Sequence, residues 1–134
     1  MQQAIITRLL ADTAVSARVG TRIYPLQRDQ GAALPALVVT KISGADDYTM
    51  AGPSGLREAR VQVDCYSDQT LGAAAHWALA NAVRVAMGGL SATVGATRLQ
   101  GVFLDSERDL VEPDEARPLF RTSLDFIVWA GSAF

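Results

Sequence analysis

Leu56-Arg57-Glu58-Ala59-Arg60-Val61-Gln62-Val63-Asp64-Cys65-Tyr66-Ser67 decides how the chain folds. Ala59, Val61, Val63 and Cys65 share one side of this run, and Arg60, Gln62, Asp64 and Tyr66 share the other. Successive side chains of a strand point to opposite faces. A period of two therefore predicts a strand with one face in a core and the other in water or against a partner. The final run, Leu119 to Trp129, repeats the pattern. Phe120, Thr122, Leu124, Phe126 and Val128 lie on one side, and Arg121, Ser123, Asp125, Ile127 and Trp129 on the other. Ala36-Leu37-Val38-Val39-Thr40-Lys41-Ile42-Ser43 is rich in β-branched residues and predicts a third strand. Shorter extended runs are expected at Thr21–Tyr24, ended by Pro25, and at Ala96–Leu104, with Gly101 as a bulge.

Strands with one apolar face need a cover, and two stretches supply it. From Gln3 to Arg18, residues Ile6, Leu9, Leu10, Thr13 and Ala14 follow helical spacing, and Gly20 suits a left-handed C-terminal cap. From about Gln69 to Met87, Leu71, Ala74, Ala75, Ala78, Leu79, Ala82, Val83 and Met87 form one stripe. Ser67-Asp68 is expected to cap its start, and Gly88-Gly89 to end it. Gly44–Gly55 and Asp105–Pro118 read as loops because of their turn dipeptides, charges and prolines, and Leu26–Ala33 reads as a third. The tail after Trp129 shows no evident structure. The expected order is α-β-β-β-α-β-β. It describes one α+β domain over residues 1–134, with a mostly antiparallel sheet of four to five strands and two helices packed on one face.

Composition narrows the function. The 134 residues are 49% hydrophobic and 19% charged, enough to bury a core without disulfides or a structural metal. Twelve Lys+Arg against 14 Asp+Glu leave a net charge of −2, which excludes a strongly basic domain held on nucleic acid by bulk electrostatics. One cysteine, Cys65, excludes an intramolecular disulfide, a CxxC pair and a four-cysteine zinc site; one histidine, His76, leaves no second imidazole for a metal. No stretch nears the roughly 18 apolar residues of a membrane span, and the N-terminus does not read as a secretory signal. A reducing cytoplasm is the expected setting.

Every candidate for chemistry has a simpler reading. His76 is expected to be a surface or half-buried helix residue, with no Asp-His-Ser constellation around it, and Cys65 a small buried hydrophobe. Asp46-Asp47 lack a third metal ligand at suitable spacing. Gly52-Pro53-Ser54-Gly55 precedes a strand, whereas a phosphate loop opens a helix. Asp105, Glu107, Asp109, Glu112, Asp114 and Glu115 read as a solvated charged loop. No catalytic, metal or cofactor site is expected. What remains is aromatic, Met and Arg side chains on outward faces and loops, the composition of protein interfaces.

Several pieces also carry a resemblance: Val19-Gly20-Thr21-Arg22-Ile23-Tyr24-Pro25, Leu34-Pro35-Ala36-Leu37-Val38-Val39, Gly52-Pro53-Ser54-Gly55-Leu56 leading into Ala59-Arg60-Val61-Gln62-Val63-Asp64-Cys65-Tyr66, and Glu107-Arg108-Asp109-Leu110 before Phe120–Trp129. The chain resembles the small tail-completion proteins of long-tailed phages and phage-like gene transfer agents, also called tail terminators or tail-to-head joining proteins. The resemblance implies flat α+β subunits that close into a hexameric ring. The ring would cap the finished tail tube, stop its polymerisation and give the head connector (stopper) a docking surface at the neck of a particle assembled in a bacterial cytoplasm. The implied partners are other copies of the chain, the tail tube protein and the head connector, with DNA passing through without sequence-specific binding and no membrane involved. A basic lumen would retain DNA, and the net charge of −2 is compatible with free passage. The family has no catalytic motif to carry over.

Exposure logic nominates the contact residues. Asp47, Tyr48, Thr49 and Met50 would reach a neighbour or the tube; Arg108, Asp109 and Glu112 would line a rim or lumen; Arg60, Tyr66, Arg121 and Trp129 would face outward from the open side of the sheet. Three other readings compete: another small neck or tail component of the same particle, a stand-alone α+β domain that binds a small molecule between sheet and loops, and an enzyme using the carboxylates of Asp105–Glu115.

Overall fold

The computed structural model describes residues 2–27, 34–68, 72–112 and 119–132. Its elements are α1 (Gln2–Ala11), α2 (Thr13–Val19), β1 (Ile23–Pro25), β2 (Ala36–Thr49), β3 (Gly52–Asp68), α3 (Ala73–Met87), β4 (Ala92–Val94), β5 (Thr97–Glu112) and β6 (Leu119–Ser132). The strands form one sheet in the order β1-β2-β3-β6-β5-β4. Every pairing is antiparallel except β1 with β2.

The alternation in β3 and β6 sets the two faces of this sheet. Val61 lies opposite Phe126 and Val63 opposite Leu124, so their side chains share one face. Val39, Leu37, Val102 and Val128 join them, and Ile5, Leu9, Val15, Val19, Leu79, Val83 and Met87 of the three helices close over that face as one core. Gln62, Asp64 and Tyr66 lie opposite Asp125, Ser123 and Arg121 on the outer face, which no helix covers among the described residues, although Ala36, Val38, Asp64 and Ser123 on that face are buried. The α+β class and the largely antiparallel sheet agree with the sequence.

Four expectations are corrected. The first helix is two helices, because Asp12 interrupts it. Its Oδ1 accepts from the backbone N–H groups of Ala14 (3.0 Å) and Val15 (3.1 Å), capping α2 after α1 has ended. Asp12→Ala is expected to cost about 1 kcal/mol, seen as a melting temperature lower by roughly 4 °C. An unchanged melt would show that water replaces the cap. Gly20 ends α2 with its N–H on Ser16 O; its φ of 61° suits glycine, but its ψ of −122° lies outside the left-handed helical cap expected of it.

The second correction is at Gly44–Gly55, where a long hairpin stands in place of a loop. The β2 strand continues to Thr49, turns through Met50-Ala51, and β3 restarts at Gly52, whose φ of 125° suits glycine. Nearly every side chain along this arm is exposed, so burial imposes no apolar alternation and the sequence carries no strand signal. Asp46 pairs with Arg57 across the arm at 2.7 Å.

Third, Asp105–Glu112 continues β5 along β6 and is not a loop. Its charges sit on exposed edge positions, which strands tolerate. Pro113–Pro118 lies outside the described residues, as do residues 28–33 of the first expected loop and residues 69–71, where the second long helix was expected to begin. Strand β6 runs on to Ser132, into the tail expected to be unstructured.

Fourth, Ser67-Asp68 does not cap α3. The cap residue is Gly72, with no side-chain bond. Ser67 is the penultimate residue of β3, and its hydroxyl is turned into the core onto His76. The full count is three helices and six strands, with β4 and the split of the first helix added to the expected order.

Candidate functional site

The nominated residues fall into three places. The first is the tip of the β2–β3 arm. Tyr48 is 66% exposed and Met50 wholly so. Asp47 Oδ2 accepts from Ser54 Oγ at 2.8 Å, and Thr49 Oγ1 donates to Gly52 O at 3.0 Å while accepting from Ala51 N. Side-chain bonds thus brace the turn, and the apolar Tyr48 and Met50 are presented beyond it.

The second place is the outer face. Arg121 grips Asp64 through Nε (3.3 Å) and Nη2 (3.2 Å). Ser123 Oγ donates to Asp64 Oδ1 at 2.5 Å, and Gln62 Nε2 donates to the same oxygen at 2.8 Å. The Arg121 guanidinium lies 5.7 Å from the Tyr66 ring centroid, within reach of a cation–π contact. Arg60 pairs with Asp105 at 2.7 Å and lies 3.6 Å from Asp125. Asp125 Oδ1 is buried with no hydrogen-bond partner among the described residues. Beside this network, Phe103 lies opposite Ile127 and Gly101 opposite Trp129, forming an apolar strip. Arg60, Tyr66, Arg121 and Trp129 do share one face.

The third group lies along the far half of β5. Arg108 pairs with Ser123 and so points outward, whereas Asp109 pairs with Thr122 and points toward the helices. Glu112 ends β5 opposite Leu119.

Asp109 has a different task. Thr122 Oγ1 donates to Asp109 Oδ1 (2.7 Å), His76 Nε2 lies 2.8 Å from Thr122 Oγ1, and Ser67 Oγ lies 2.5 Å from His76 Nδ1. Because Thr122 spends its proton on the carboxylate, it accepts from Nε2–H; in the neutral imidazole, the form that burial favours, Ser67 donates to the bare Nδ1. His76 is 3% exposed, which corrects the expectation of a surface or half-buried residue with no such partners. The chain joins residues 9 and 46 positions apart, which sequence spacing does not reveal. It resembles a catalytic triad only in its residue types. Ser67 is fully buried and Thr122 stands between the imidazole and the carboxylate, so the group ties β3, α3, β6 and β5 together.

Burial pushes the His76 pKa below 6.5, opposed by the charge of Asp109. The unfolded imidazole takes up a proton as pH falls through 6.5, while the folded one stays neutral down to its lower value. Stability is therefore intact above 6.5 and declines below it, by at most about 1.4 kcal/mol per pH unit for one proton. Melting temperatures taken from about pH 7.5 to about pH 5 are expected to show this decline, with a shallower slope in His76→Gln. Equal slopes would remove His76 as its source.

Cys65 is fully buried as expected, and burial with the nearby Asp64 charge pushes its thiol up, far from a reactive thiolate. Among the described residues, no cluster of His, Cys, Asp or Glu is placed to hold a metal, and no helix is long and apolar enough to cross a membrane. A cleft of about 610 Å³ lies between α3 and β5, lined by Trp77, Asn81, Arg84, Glu107, Asp109 and Thr122. Sequence reasoning did not nominate Trp77 (58% exposed) or Phe103 (56% exposed). Trp77 falls outside the apolar stripe of α3. Phe103 falls on the outer face once Gly101, which precedes it by two, is placed opposite Trp129.

Among the described residues, a braced arm and a sheet face that carries aromatic and arginine side chains and no helix make up the candidate contact surfaces. The family described as tail completion protein gp17 matches residues 3–131, and the chain belongs to it. It is a non-enzymatic structural component of the tail of a phage-like particle. A chain in a solved structure titled "Virion of native gene transfer agent (GTA) particle" has the same fold, with a TM-score of 0.77 and 24% identity over 98% of this chain and 94% of that one. No curated protein matches significantly.

Proposed function

We propose that six copies of this chain close into a ring that caps the tail tube, ends its polymerisation and presents a surface to the head connector, while DNA passes through the lumen without sequence-specific contacts. The observation that carries this reading is the outer face. Ile127, Trp129 and Phe103 form an apolar strip beside the Arg60–Asp105 ion pair, the mixture of aromatic, apolar and Arg side chains that protein interfaces use. Membership of the tail-completion family and the shared fold of a virion chain support the same role. The arm bearing Tyr48 and Met50 suits contact with a neighbouring copy or the tube.

Two measurements test this. Light scattering over a concentration series should find six copies of a 14.3 kDa chain, about 86 kDa, with rings in negative stain. Added to assembled tail tubes, the protein should sit at one end and halt growth. A stable dimer that leaves tube growth unchanged would overturn the proposal, because an isologous pair uses up the surface a ring needs.

A further inference from the structure

We propose that neighbouring copies join edge to edge, with residues 40–45 of β2 in one copy pairing antiparallel with residues 103–108 of β5 in the next, so that one continuous sheet runs from copy to copy. This rests on the ring reading above and names the strands that make it.

Each side of the sheet ends in a short strand that leaves most of its neighbour uncovered. The β1 strand covers β2 only as far as Val39, whose carbonyl also accepts from Leu26 N. The β4 strand covers β5 only to Leu99, and Gly89 N donates to Val102 O just beyond. Among the described residues, the backbone groups of β2 that face away from β3 have no strand beside them from Thr40 onward. Those of β5 that face away from β6 have none from Phe103 onward. Long bare edges are templates for further strands.

Direction, faces and charge agree on how the edges meet. Three successive antiparallel pairings separate β2 from β5, so the two run in opposite directions. A second copy set beside the first in the same orientation therefore brings β5 against β2 antiparallel. With Lys41 opposite Glu107, the aligned segments stop where β1 and β4 begin, so residues 109–112 of one copy and 46–49 of the next must leave the shared sheet plane to pass the partner's β1 and β4. Lys41 and Glu107 both point to the helix side, opposite Val61 and Leu124. Gly44 meets Leu104 on that side, and Ala45 meets the exposed Phe103 on the outer side, where a small residue leaves room for the ring. Each strand carries one irregularity within the segment, between Lys41 and Ser43 and between Leu104 and Ser106, so the faces stay in step across it.

Lys41, the sole lysine of the chain, and Glu107 form no ion pair among the described residues. Pairing β5 with β5 would crowd Asp105, Glu107 and Asp109 against their own kind, and pairing unlike edges sets opposite charges together. Unlike edges give a head-to-tail contact that can repeat and close.

Charge reversal provides the test. Lys41→Glu and Glu107→Lys are each expected to lose the assembled species in light scattering, and the double variant to regain at least half of it; both sites are exposed, so melting curves should stay near wild type. Independently, Ala45→Cys with Phe103→Cys should give, on oxidation, a ladder of linked copies above the dimer, whereas each single variant gives none. Cys65 is buried and contributes nothing to the ladder. If both charge variants keep the ring mass and the cysteine pair gives no ladder, the edge pairing is overturned and the ring stands. If the wild type stays monomeric yet caps tubes, pairing between free copies is overturned and the cap stands. If it neither assembles nor caps, both proposals fall.

Discussion

Phe126→Ala is expected to destabilise the folded chain by about 3–5 kcal/mol, a drop in melting temperature of roughly 15 °C. Phe126 is the largest of the fully buried side chains. It stands on β6 between Val61 of β3 and Leu104 of β5, under the helices. Its removal loses the transfer free energy of the ring and leaves a cavity that three hydrogen-bonded strands cannot collapse around. Phe103→Ala supplies the contrast. That ring sits on the same sheet but on the outer face, 56% exposed. Its loss is expected to cost under about 1 kcal/mol in folding and to weaken assembly instead. Urea denaturation of both variants at low protein concentration separates the two effects. Equal losses in folding would mean that the outer face is covered within a single chain.

Asp64→Ala carries the second large effect. Asp64 is 7% exposed at its side chain and its two oxygens collect bonds from Arg121, Ser123 and Gln62. Taking one partner from a buried charge pair typically costs about 3–5 kcal/mol. Arg121, at 22% side-chain exposure, recovers part of its hydration, so about 3 kcal/mol is expected here. Arg121→Met should cost less, because Asp64 keeps its bonds from Ser123 and Gln62 and methionine still packs on the Tyr66 ring. If Asp64→Ala unfolds at the wild-type urea concentration, the network is a solvated surface feature and does not order the outer face.

Both residues show how much of the fold was legible. Phe126 and Asp64 lie in runs of strict alternation, and their opposite faces follow from the period of two alone. The arm at Ser43–Leu56 and the charged half of β5 were not legible, although both are strands. Their side chains are exposed on both faces, so nothing selects apolar residues at every second place, and hydrogen bonding to a neighbouring strand leaves no mark in composition. The division of the first helix was available in principle. Asp12 is a preferred capping residue, but in the interior of an apolar stripe a cap and a solvent-facing helical aspartate look the same.

The interface residues divide along the same line. Arg60, Tyr66, Arg121 and Trp129 were nominated by alternation, and they do share a face. Arg108 and Asp109 were nominated as adjacent charges in a loop, and the strand sends them to opposite sides. His76 went unrecognised as a core residue because its partners, Ser67 and Thr122, are brought to it by two different strands.

By itself the sequence determined the class of fold, the two faces of the central strands, the absence of a local catalytic motif and the resemblance to tail-completion proteins. These depend on periodicity, residue chemistry and order along the chain, which are local properties. Tertiary structure alone decided the long hairpin arm, the reach of β5, the hydrogen-bonded chain through His76 and the two bare sheet edges. Each of these depends on which strands lie side by side, and strand pairing joins residues that share no neighbourhood in sequence.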